Sequence, residues 1–328
     1  MPAGPDAVAT AARRLQAGGL VAFPTETVYG LGADATNATA IARLYAAKGR
    51  PKFNPLISHL PDAAAAMRLG VFNAAARRLA EALWPGPLTL VVPKAHDCPI
   101  ASLTTAGLDM VALRVPSHPV ARELLAAAGR PVAAPSANRS GRVSPTTAAH
   151  VHADFPATLD LIIDGGATAV GLESTIVACT GDTPAVLRFG GLARETIENV
   201  LKSPLAFHRG AADAPQSPGQ LASHYAPRAA VRLNADHVAS GEALLAFGNA
   251  PMSGSGNAAV TLNLSPRGDL VEAAANFFAY LHRLDASDAA TIAVAPIPEK
   301  GLGEAINDRL RRAAAPRPVI SACPEVPA

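Results

Sequence analysis

The sequence predicts an α/β protein in two parts, a larger domain built on a twisted mixed sheet and a smaller C-terminal domain. Between residues 20 and 188, short apolar runs outnumber amphipathic helical segments, which is typical of a mixed sheet. Over residues 229–314, strand and helix patterns alternate, which indicates a small parallel, Rossmann-like sheet. The length of 328 residues suits two domains of roughly 150 residues each.

Composition narrows the class of protein. Apolar residues make up 49% of the chain, which excludes disorder over most of its length, and the aromatic share of 4% favours small-residue packing. The net charge of +2 gives no global basic field that would by itself indicate a nucleic-acid-binding protein.

The cysteines and the N-terminus indicate a cytoplasmic protein with no membrane contact. Cys98, Cys179 and Cys323 are far apart and form no C-x-x-C pair, so neither a zinc ribbon nor a disulfide framework is expected. The first residues carry no apolar signal core, and no stretch approaches about 18 consecutive apolar residues.

Periodicity and stop signals predict the elements of the larger domain. Helices are expected over Ala7–Ala17, after a cap at Asp34 or Thr36, and over Asn73–Trp84, His118–Ala128 and Glu195–Leu201. Buried strands are expected over Leu20–Phe23, Pro55–His59, Leu88–Pro93, Val111–Val115, Val132–Ala134, Leu159–Ile163, Ser174–Ala178 and Ala185–Arg188.

A linker separates the two predicted domains. Residues 203–227 contain several prolines and no sustained period, so they form either a spacer or a lid. The boundaries expected from this change are 1–203, 204–227 and 228–328. In the last range, strands are expected over Ala229–Leu233, Ala243–Gly248 and Thr291–Ala295, and helices over Ser265–Leu284 and Leu302–Ala314.

Common nucleotide-binding and hydrolytic motifs are missing from the sequence. It contains no G-x-x-x-x-G-K-[ST], no G-x-S-x-G and no H-E-x-x-H. The pairs Gly30/Gly32 and Gly301/Gly303 lack the third glycine of a dinucleotide-binding fingerprint, so ordinary turns explain them. A nucleotide would therefore be bound by another arrangement.

Residues 23–59 combine hydroxyl groups with a basic cluster. They read as a buried strand, a polar turn with glycines and a helix that ends near Lys48, Arg50 and Lys52. Asn54 precedes a proline and is therefore held in extended geometry. Cations at a helix end either balance the helix macrodipole or bind phosphate, and the local pattern leaves both readings open.

Polar residues also follow later strands. Ser136, Asn138 and Ser144 lie in a turn after one strand, Ser174 opens another, and Arg188 ends the next. Such turns are either simple connections or anion-binding sites.

Arg114 is the most unusual charge because it lies within the apolar run MVALRVP. A buried arginine needs a partner. Either a carboxylate of the chain, Glu123 or Asp109, or the carboxylate of a substrate would serve. His59, at the end of a strand, is either a core histidine or a ligand contact.

Eight motifs, taken in order, resemble one family: the long form of the threonylcarbamoyl-adenylate synthases. They are PTETVYGLG, KGRPKFNPL, the arginine of ALRVP, APSAN, SPT, ESTI, LRFG and SPGQLASHYAP. The resemblance spans residues 8 to 314 and implies a YrdC-like catalytic domain followed by a Sua5-type C-terminal domain. In the linker, SPGQ stands where the family commonly has methionine after the glycine.

The resemblance implies a nucleotidyltransferase reaction with ATP and bicarbonate as substrates. L-threonine, bicarbonate and ATP would give threonylcarbamoyl-AMP and pyrophosphate, with Mg²⁺ assisting. A downstream tRNA threonylcarbamoyl-transferase complex would then modify adenosine 37 of tRNAs that read ANN codons. A basic concave face implies RNA contact as well.

The resemblance also assigns roles to residues of this sequence. The catalytic and phosphate-binding set would be Lys48, Arg50, Ser136 and Asn138. Further ATP contacts would come from Asn54, Met110, Ser144, Arg188 and Tyr225. Threonine would be bound by Thr27, His59, Arg114, Ala134 and Ser174. No metal-ligating side chain is expected.

Two other functions remain as alternatives. A non-catalytic relative would bind double-stranded RNA or regulate another protein without making an adenylate. A carbamoyl-adenylate domain of hydrogenase maturation would bring zinc-type cysteine pairs and a further large domain, which the sequence lacks.

Overall fold

A computed structural model describes residues 1–207 and 223–316. The larger part contains one 10-stranded mixed sheet with the strand order β10-β9-β8-β4-β5-β3-β6-β2-β1-β7. Its strands are β1 (Val21–Phe23), β2 (Gly30–Asp34), β3 (Ile57–His59), β4 (Leu88–Pro93), β5 (Met110–Arg114), β6 (Val132–Ala133), β7 (Leu161–Ile162), β8 (Thr175–Ala178), β9 (Ala185–Arg188) and β10 (Ala206–Phe207).

Helices cover this sheet and close its main hydrophobic core. They are α1 (Pro5–Gln16), α2 (Ala38–Lys48), α3 (Ala63–Met67), α4 (Ala74–Leu83), α5 (Pro119–Ala128), α6 (Ala148–Asp154) and α7 (Arg194–Leu201). The mixed α/β sheet expected from the sequence is confirmed.

The alternation of side chains along the central strands separates the core from a polar face. In β5, Val111 and Leu113 belong to the main core, whereas Ala112 belongs to a small cluster on the other face. Successive strand residues point to opposite faces, so Arg114 shares the face of Ala112. The pairing of β3 with β5 sets His59 beside Arg114 on that face.

The N-terminus of α2 and strand β2 differ from the sequence-based expectation. Asn37, not Asp34 or Thr36, caps α2, because its side chain accepts from the amides of Thr39 and Ala40. The carboxylate of Asp34 is instead bound by Thr36 and Arg130.

Strand β2 was expected to be a turn because it begins GLG. A Cβ at Gly32 would lie only 2.8 Å from the ring of Phe23 on the neighbouring strand. The glycine is therefore a close-packing requirement of the sheet rather than a turn signal.

The C-terminal part contains a separate 4-stranded sheet that is parallel throughout. Its elements are β11 (Ala230–Arg232), β12 (Ala243–Ala246), β13 (Thr261–Asn263), α8 (Leu270–Asp285), β14 (Thr291–Val294) and α9 (Leu302–Ala314). The parallel sheet is as expected, and α9 has the expected bounds. Helix and strand alternate only from β13 onward, because the chain from β11 to β13 contains a 3-10 turn but no α-helix.

The two parts share a hydrophobic cluster. Val28, Val143 and Leu172 from the larger part pack in one cluster with Phe277 and Phe278 of α8. At Gly171, a Cβ would lie 2.2 Å from a backbone oxygen of α8. The backbone at Gly171 and the backbone of α8 therefore approach each other closely, and this contact holds α8 against the larger part.

The predicted linker is described only at its two ends. Ala206 and Phe207 add β10 to the edge of the sheet, next to β9. The SPGQ segment lies outside the described residues, whereas Ser223 to Pro227 are described. Across the described ranges, no helix is both long and apolar enough to cross a membrane.

Candidate active site

A small cavity opens where strands β3, β5, β6 and β9 end and where β8 begins. Its volume is about 40 Å³. The residues that line it are Val28, Arg50, Ile57, His59, Arg114, Ala134, Pro135, Ser136, Glu173, Ser174, Arg188, His224 and Tyr225. The structure thus brings together predicted site residues from distant parts of the chain.

Arg114 lies at one end of the cavity, and its guanidinium contacts two residues of the loop before β2. Its Nη2 is 2.8 Å from Oε1 of Glu26 and donates a hydrogen bond of 2.9 Å to Oγ1 of Thr27. The expectation of Glu123 or Asp109 as the carboxylate partner is wrong, because both residues are exposed.

His59 faces the same end of the cavity and is neutral. Its Nδ1–H donates to the backbone oxygen of Ile57 at 3.2 Å. Burial, together with the nearby charge of Arg114, lowers the pKa of His59 to about 3. With its one proton on Nδ1, the neutral ring leaves Nε2 to accept a hydrogen bond from a ligand without adding charge.

Ser174 and Ala134 complete this end. The Ser174 hydroxyl is 2.7 Å from Oγ1 of Thr89, and Arg188 donates to both the backbone oxygen and the hydroxyl of Ser174. Ala134 follows β6 and lines the cavity, and its amide donates to the backbone oxygen of Ile57 at 3.0 Å.

Lys48, the last residue of α2, and Arg50 lie at the other end, on either side of the left-handed Gly49 that caps the helix. The Nζ of Lys48 donates to the backbone oxygens of Ser136, at 2.6 Å, and of Asn138. Lys48 therefore crosses to the turn after β6 and does not fold back on its own helix. Burial lowers its pKa well below the ordinary lysine value.

Arg50 is also buried and bonds to its own loop. It donates to the backbone oxygens of Asn54 and Pro55. Burial lowers its pKa to about 10, so it still carries a positive charge at neutral pH.

Four other predicted residues lie near the cavity but do not line it. Both polar atoms of the Asn54 amide and Oδ1 of Asn138 are buried without a hydrogen-bond partner among the described residues. Ser144 donates from its hydroxyl to Oε1 of Glu173 at 2.5 Å. Met110 begins β5 and packs against the small cluster that contains Ile57.

His224 and Tyr225, from the end of the linker, close the cavity. Burial, and then the charges of Arg50 and Lys48, lower the pKa of His224 well below the ordinary value. Its Nδ1 has no partner among the described residues. Tyr225 adopts a left-handed backbone with φ 61°.

Glu26, Glu173, Arg309 and His224 are site residues that the sequence reasoning did not select. Arg309 of α9 is fully buried, binds Oε2 of Glu173 at 3.2 Å and lies 5.2 Å from the ring centroid of Tyr225. A signal existed for Arg309, because it shares the apolar face of α9 with Ile306 and Leu310. A charge on such a face needs a buried partner.

Taken together, the site concentrates positive charge in a space sheltered from water. Arg50, Arg114 and Arg188 line it, with Lys48 directly behind. Such an arrangement suits anionic substrates and a reaction that builds up negative charge.

Comparison with protein families assigns nearly the whole chain. Residues 13–190 match the Sua5, YciO and YrdC family model, described as "Telomere recombination". Residues 192–315 match the model described as "Threonylcarbamoyl-AMP synthase, C-terminal domain".

Individual relatives agree over most of their length. The chain is 39% identical to the threonylcarbamoyl-AMP synthase of Bacillus subtilis, over 94% of this chain and 93% of that one. It is 42% identical to the synthase of Pyrococcus abyssi, over 92% of each chain. The crystal structure of P. abyssi Sua5 complexed with L-threonine matches with a TM-score of 0.85 and 38% identity, covering 94% of both chains. The chain therefore belongs to the threonylcarbamoyl-AMP synthase family.

Proposed function

We propose that the chain makes threonylcarbamoyl-AMP and pyrophosphate from L-threonine, bicarbonate and ATP. The observation that carries the proposal is the convergence of Arg50, Arg114 and Arg188 on one sheltered cavity. The substrates of this reaction present an amino-acid carboxylate, bicarbonate and a triphosphate. Arginine binds all three of these anionic groups well. The relatives that share about 40% of their residues with this chain carry the name of this synthase.

In this proposal, threonine binds at the end of the cavity that holds Arg114. The guanidinium binds the substrate carboxylate, and Thr27, His59 and Ser174 surround the substrate hydroxyl, with the backbone of Ala134 nearby. The neutral state of His59 supports this role, because a hydroxyl group needs hydrogen-bonding partners rather than a charge. A site built to bond a hydroxyl rejects analogues that lack it.

ATP binds at the other end of the cavity. Lys48, Arg50, Ser136 and Asn138 would hold the phosphates, and Asn54, Met110, Ser144, Arg188 and Tyr225 would supply the other nucleotide contacts. The unpartnered amide atoms of Asn54 and Asn138 support this assignment, because buried polar atoms are rarely left without a hydrogen bond.

The reaction then needs two bond-forming steps. The threonine amine nitrogen attacks the carbon of bicarbonate, which forms a C–N bond, releases water and leaves a carbamate. A carbamate oxygen attacks the α-phosphorus of ATP, the bond to the β-phosphate bridging oxygen breaks, and pyrophosphate leaves. Lys48 and Arg50 offset the growing phosphate charge. The chain acts by positioning and charge, without a covalent nucleophile.

Mg²⁺ enters this proposal as the counter-ion of ATP. Within residues 1–207 and 223–316, no group of three or more His, Cys, Asp or Glu side chains could hold a metal ion. Mg²⁺ commonly keeps several waters and binds through substrate phosphates, so in this proposal the ion enters with ATP and is held by its phosphates.

The domain boundaries 1–203, 204–227 and 228–328 belong to the same proposal, with the linker as a lid. His224 and Tyr225 now lie in the cavity and leave only about 40 Å³. Ligand pockets usually have roughly 300–1,000 Å³, so ATP entry requires these residues to move. Lid motion of this kind commonly controls access to an active site.

The product would pass to the downstream tRNA threonylcarbamoyl-transferase complex in the cytoplasm, where threonine, ATP and tRNA are together. That complex would modify adenosine 37 of tRNAs that read ANN codons. Contact between this chain and RNA is also part of the proposal.

One experiment tests the main proposal. The protein is incubated with L-threonine, bicarbonate and Mg²⁺–ATP, and pyrophosphate and threonylcarbamoyl-AMP are measured by enzyme-coupled assay and mass spectrometry. We expect both products only when threonine and bicarbonate are present together. Pyrophosphate release that persists without either substrate would refute the synthase. Binding of double-stranded RNA without any adenylate would favour the non-catalytic alternative.

A further inference from the structure

Two histidines stack at the contact between the larger part and the C-terminal part. His150 lies on α6 and His282 on α8, with ring centroids 4.0 Å apart and ring planes 19° apart. Neither ring lines the cavity. The pair nevertheless bonds to residues 144–146, and Ser144 contacts Glu173, which lines the cavity.

Both rings bond to the backbone of residues 144–146. The Nε2 of His282 is 3.1 Å from the backbone oxygen of Ser144, and since a carbonyl only accepts, Nε2 carries the proton. The amide of Thr146 is 3.3 Å from Nδ1 of His150, and since an amide only donates, this Nδ1 is unprotonated. The contacts therefore place a proton on Nε2 of His282 and none on Nδ1 of His150.

The segment held by the histidines lies directly behind the cavity wall. The Ser144 hydroxyl donates to Glu173, which lines the cavity. The backbone oxygen of Pro145 accepts from the amide of Tyr29 at 2.9 Å. A shift of the Ser144 backbone would therefore move the hydroxyl away from Glu173.

The charges around the pair are balanced. Asp154 of α6 is bound by Arg142, and Asp285 of α8 is paired with Arg228. Burial, and then the proximity of His282, lower the pKa of His150 to about 4. Burial also lowers the pKa of His282. Neither ring is therefore expected to carry a charge at neutral pH, and the hydrogen bond from Thr146 requires this of His150.

We propose that His282 is a positioning residue for the nucleotide end of the active site, supplied by the C-terminal domain. Its Nε2–H fixes the Ser144 backbone, while the stacked His150 fixes the ring of His282 and the amide of Thr146. The inference rests on the proposed function, because Ser144 is one of the proposed nucleotide contacts. Through His282, helix α8 would act on the reaction by positioning Ser144, without touching the substrate.

Three variants of the full-length chain test this. His282→Phe keeps the ring stack but removes the donor, whereas His282→Gln places an amide N–H near the position of Nε2. His152→Phe makes the same change at an exposed position of α6 and serves as the matched control.

We expect His282→Phe to raise the KM for ATP roughly three- to tenfold, which corresponds to the loss of one neutral hydrogen bond. The KM for threonine should change by no more than about twofold, because the hydrogen bonds at the threonine end of the site do not involve His282. His282→Gln should return the ATP value towards that of the parent protein. An unchanged ATP KM in His282→Phe, or equal loss in His282→Gln, would overturn the proposal.

Hydrogen–deuterium exchange of residues 143–147 provides a readout that needs no activity. Exchange should be faster in His282→Phe and close to the parent rate in His282→Gln and His152→Phe. If the parent protein releases no pyrophosphate, the proposed function fails, but this exchange pattern still supports positioning by His282. Equal exchange in all four proteins would overturn it.

Discussion

Arg114 and Glu26 form a buried ion pair, with 2.8 Å between Nη2 and Oε1, directly behind the cavity. Both side chains are almost fully inaccessible to solvent. The same Nη2 also donates to Thr27, so two neighbouring loop residues hold one end of the guanidinium. The arginine is thereby oriented before any substrate carboxylate arrives.

The first prediction concerns the stability of this pair. Arg114→Met leaves Glu26 buried without a cation and should lower the free energy of unfolding by about 3–5 kcal/mol. The double variant Glu26→Gln/Arg114→Met should recover much of that loss, because no charge is then left unpaired. Denaturant unfolding of the two single variants and the double variant, without threonine, measures the coupling. Strictly additive losses would show that the pair is not coupled.

The second prediction separates the charge of Arg114 from its shape. Arg114→Lys keeps the positive charge but loses the planar fork that binds a carboxylate through two hydrogen bonds. We expect the KM for threonine to rise about tenfold or more and the KM for ATP to change much less. Steady-state kinetics with each substrate varied measure the difference. Arg43→Lys, at a half-exposed ion pair with Asp160, is the matched control.

The partner of Arg114 could not be identified from the sequence. The apolar run around Arg114 correctly indicated a buried charge that needs a carboxylate. Glu26 lies 88 positions earlier in the chain, and only the sheet topology brings the two together. Local patterns therefore identified the need for a partner but not its identity.

The same limit applies to Gly32 and Arg309. Local sequence places Gly32 in a turn, whereas its actual role depends on the ring of Phe23 in the adjacent strand. Arg309 binds Glu173 from another domain. Strands with continuous apolar runs, such as β4, and the amphipathic helix α9 were predicted with their observed bounds, because their signals are contained in the elements themselves.

The third prediction concerns Lys48. Its Nζ lies between the backbone oxygens of Ser136 and Asn138, which leaves room for a compact ammonium group. Lys48→Met should lower kcat roughly 100-fold or more, because it removes a preorganised charge from the phosphate end of the site. Lys48→Arg should not restore kcat, since its planar fork does not fit between two carbonyls. Full activity of Lys48→Arg would contradict this geometry.

The fourth prediction follows from the lowered pKa of His59. The unfolded chain takes up a proton at about pH 6.5, whereas folded His59 does so only near pH 3. The stability due to neutral His59 is therefore complete above pH 6.5 and is lost progressively as the pH falls towards 3.

His59→Asn keeps an N–H donor but does not titrate, so its melting temperature should fall less steeply between pH 6.5 and 4 than that of the parent protein. Thermal unfolding monitored by circular dichroism across this range checks the difference. His152→Asn, at an exposed histidine, should behave as the parent does. Equal slopes for His59→Asn and the parent would exclude His59 as a contributor.

The last prediction tests the lid. Tyr225 packs beside Phe278 and lies under the guanidinium of Arg309, with 5.2 Å to the ring centroid. Tyr225→Phe keeps both ring contacts and should leave the KM for ATP nearly unchanged. Tyr225→Ala removes them and should raise that KM by roughly 2- to 30-fold, since a cation–π contact contributes about 0.5–2 kcal/mol. Equal kinetics of Tyr225→Ala and Tyr225→Phe would mean that the ring does not hold the linker over the nucleotide.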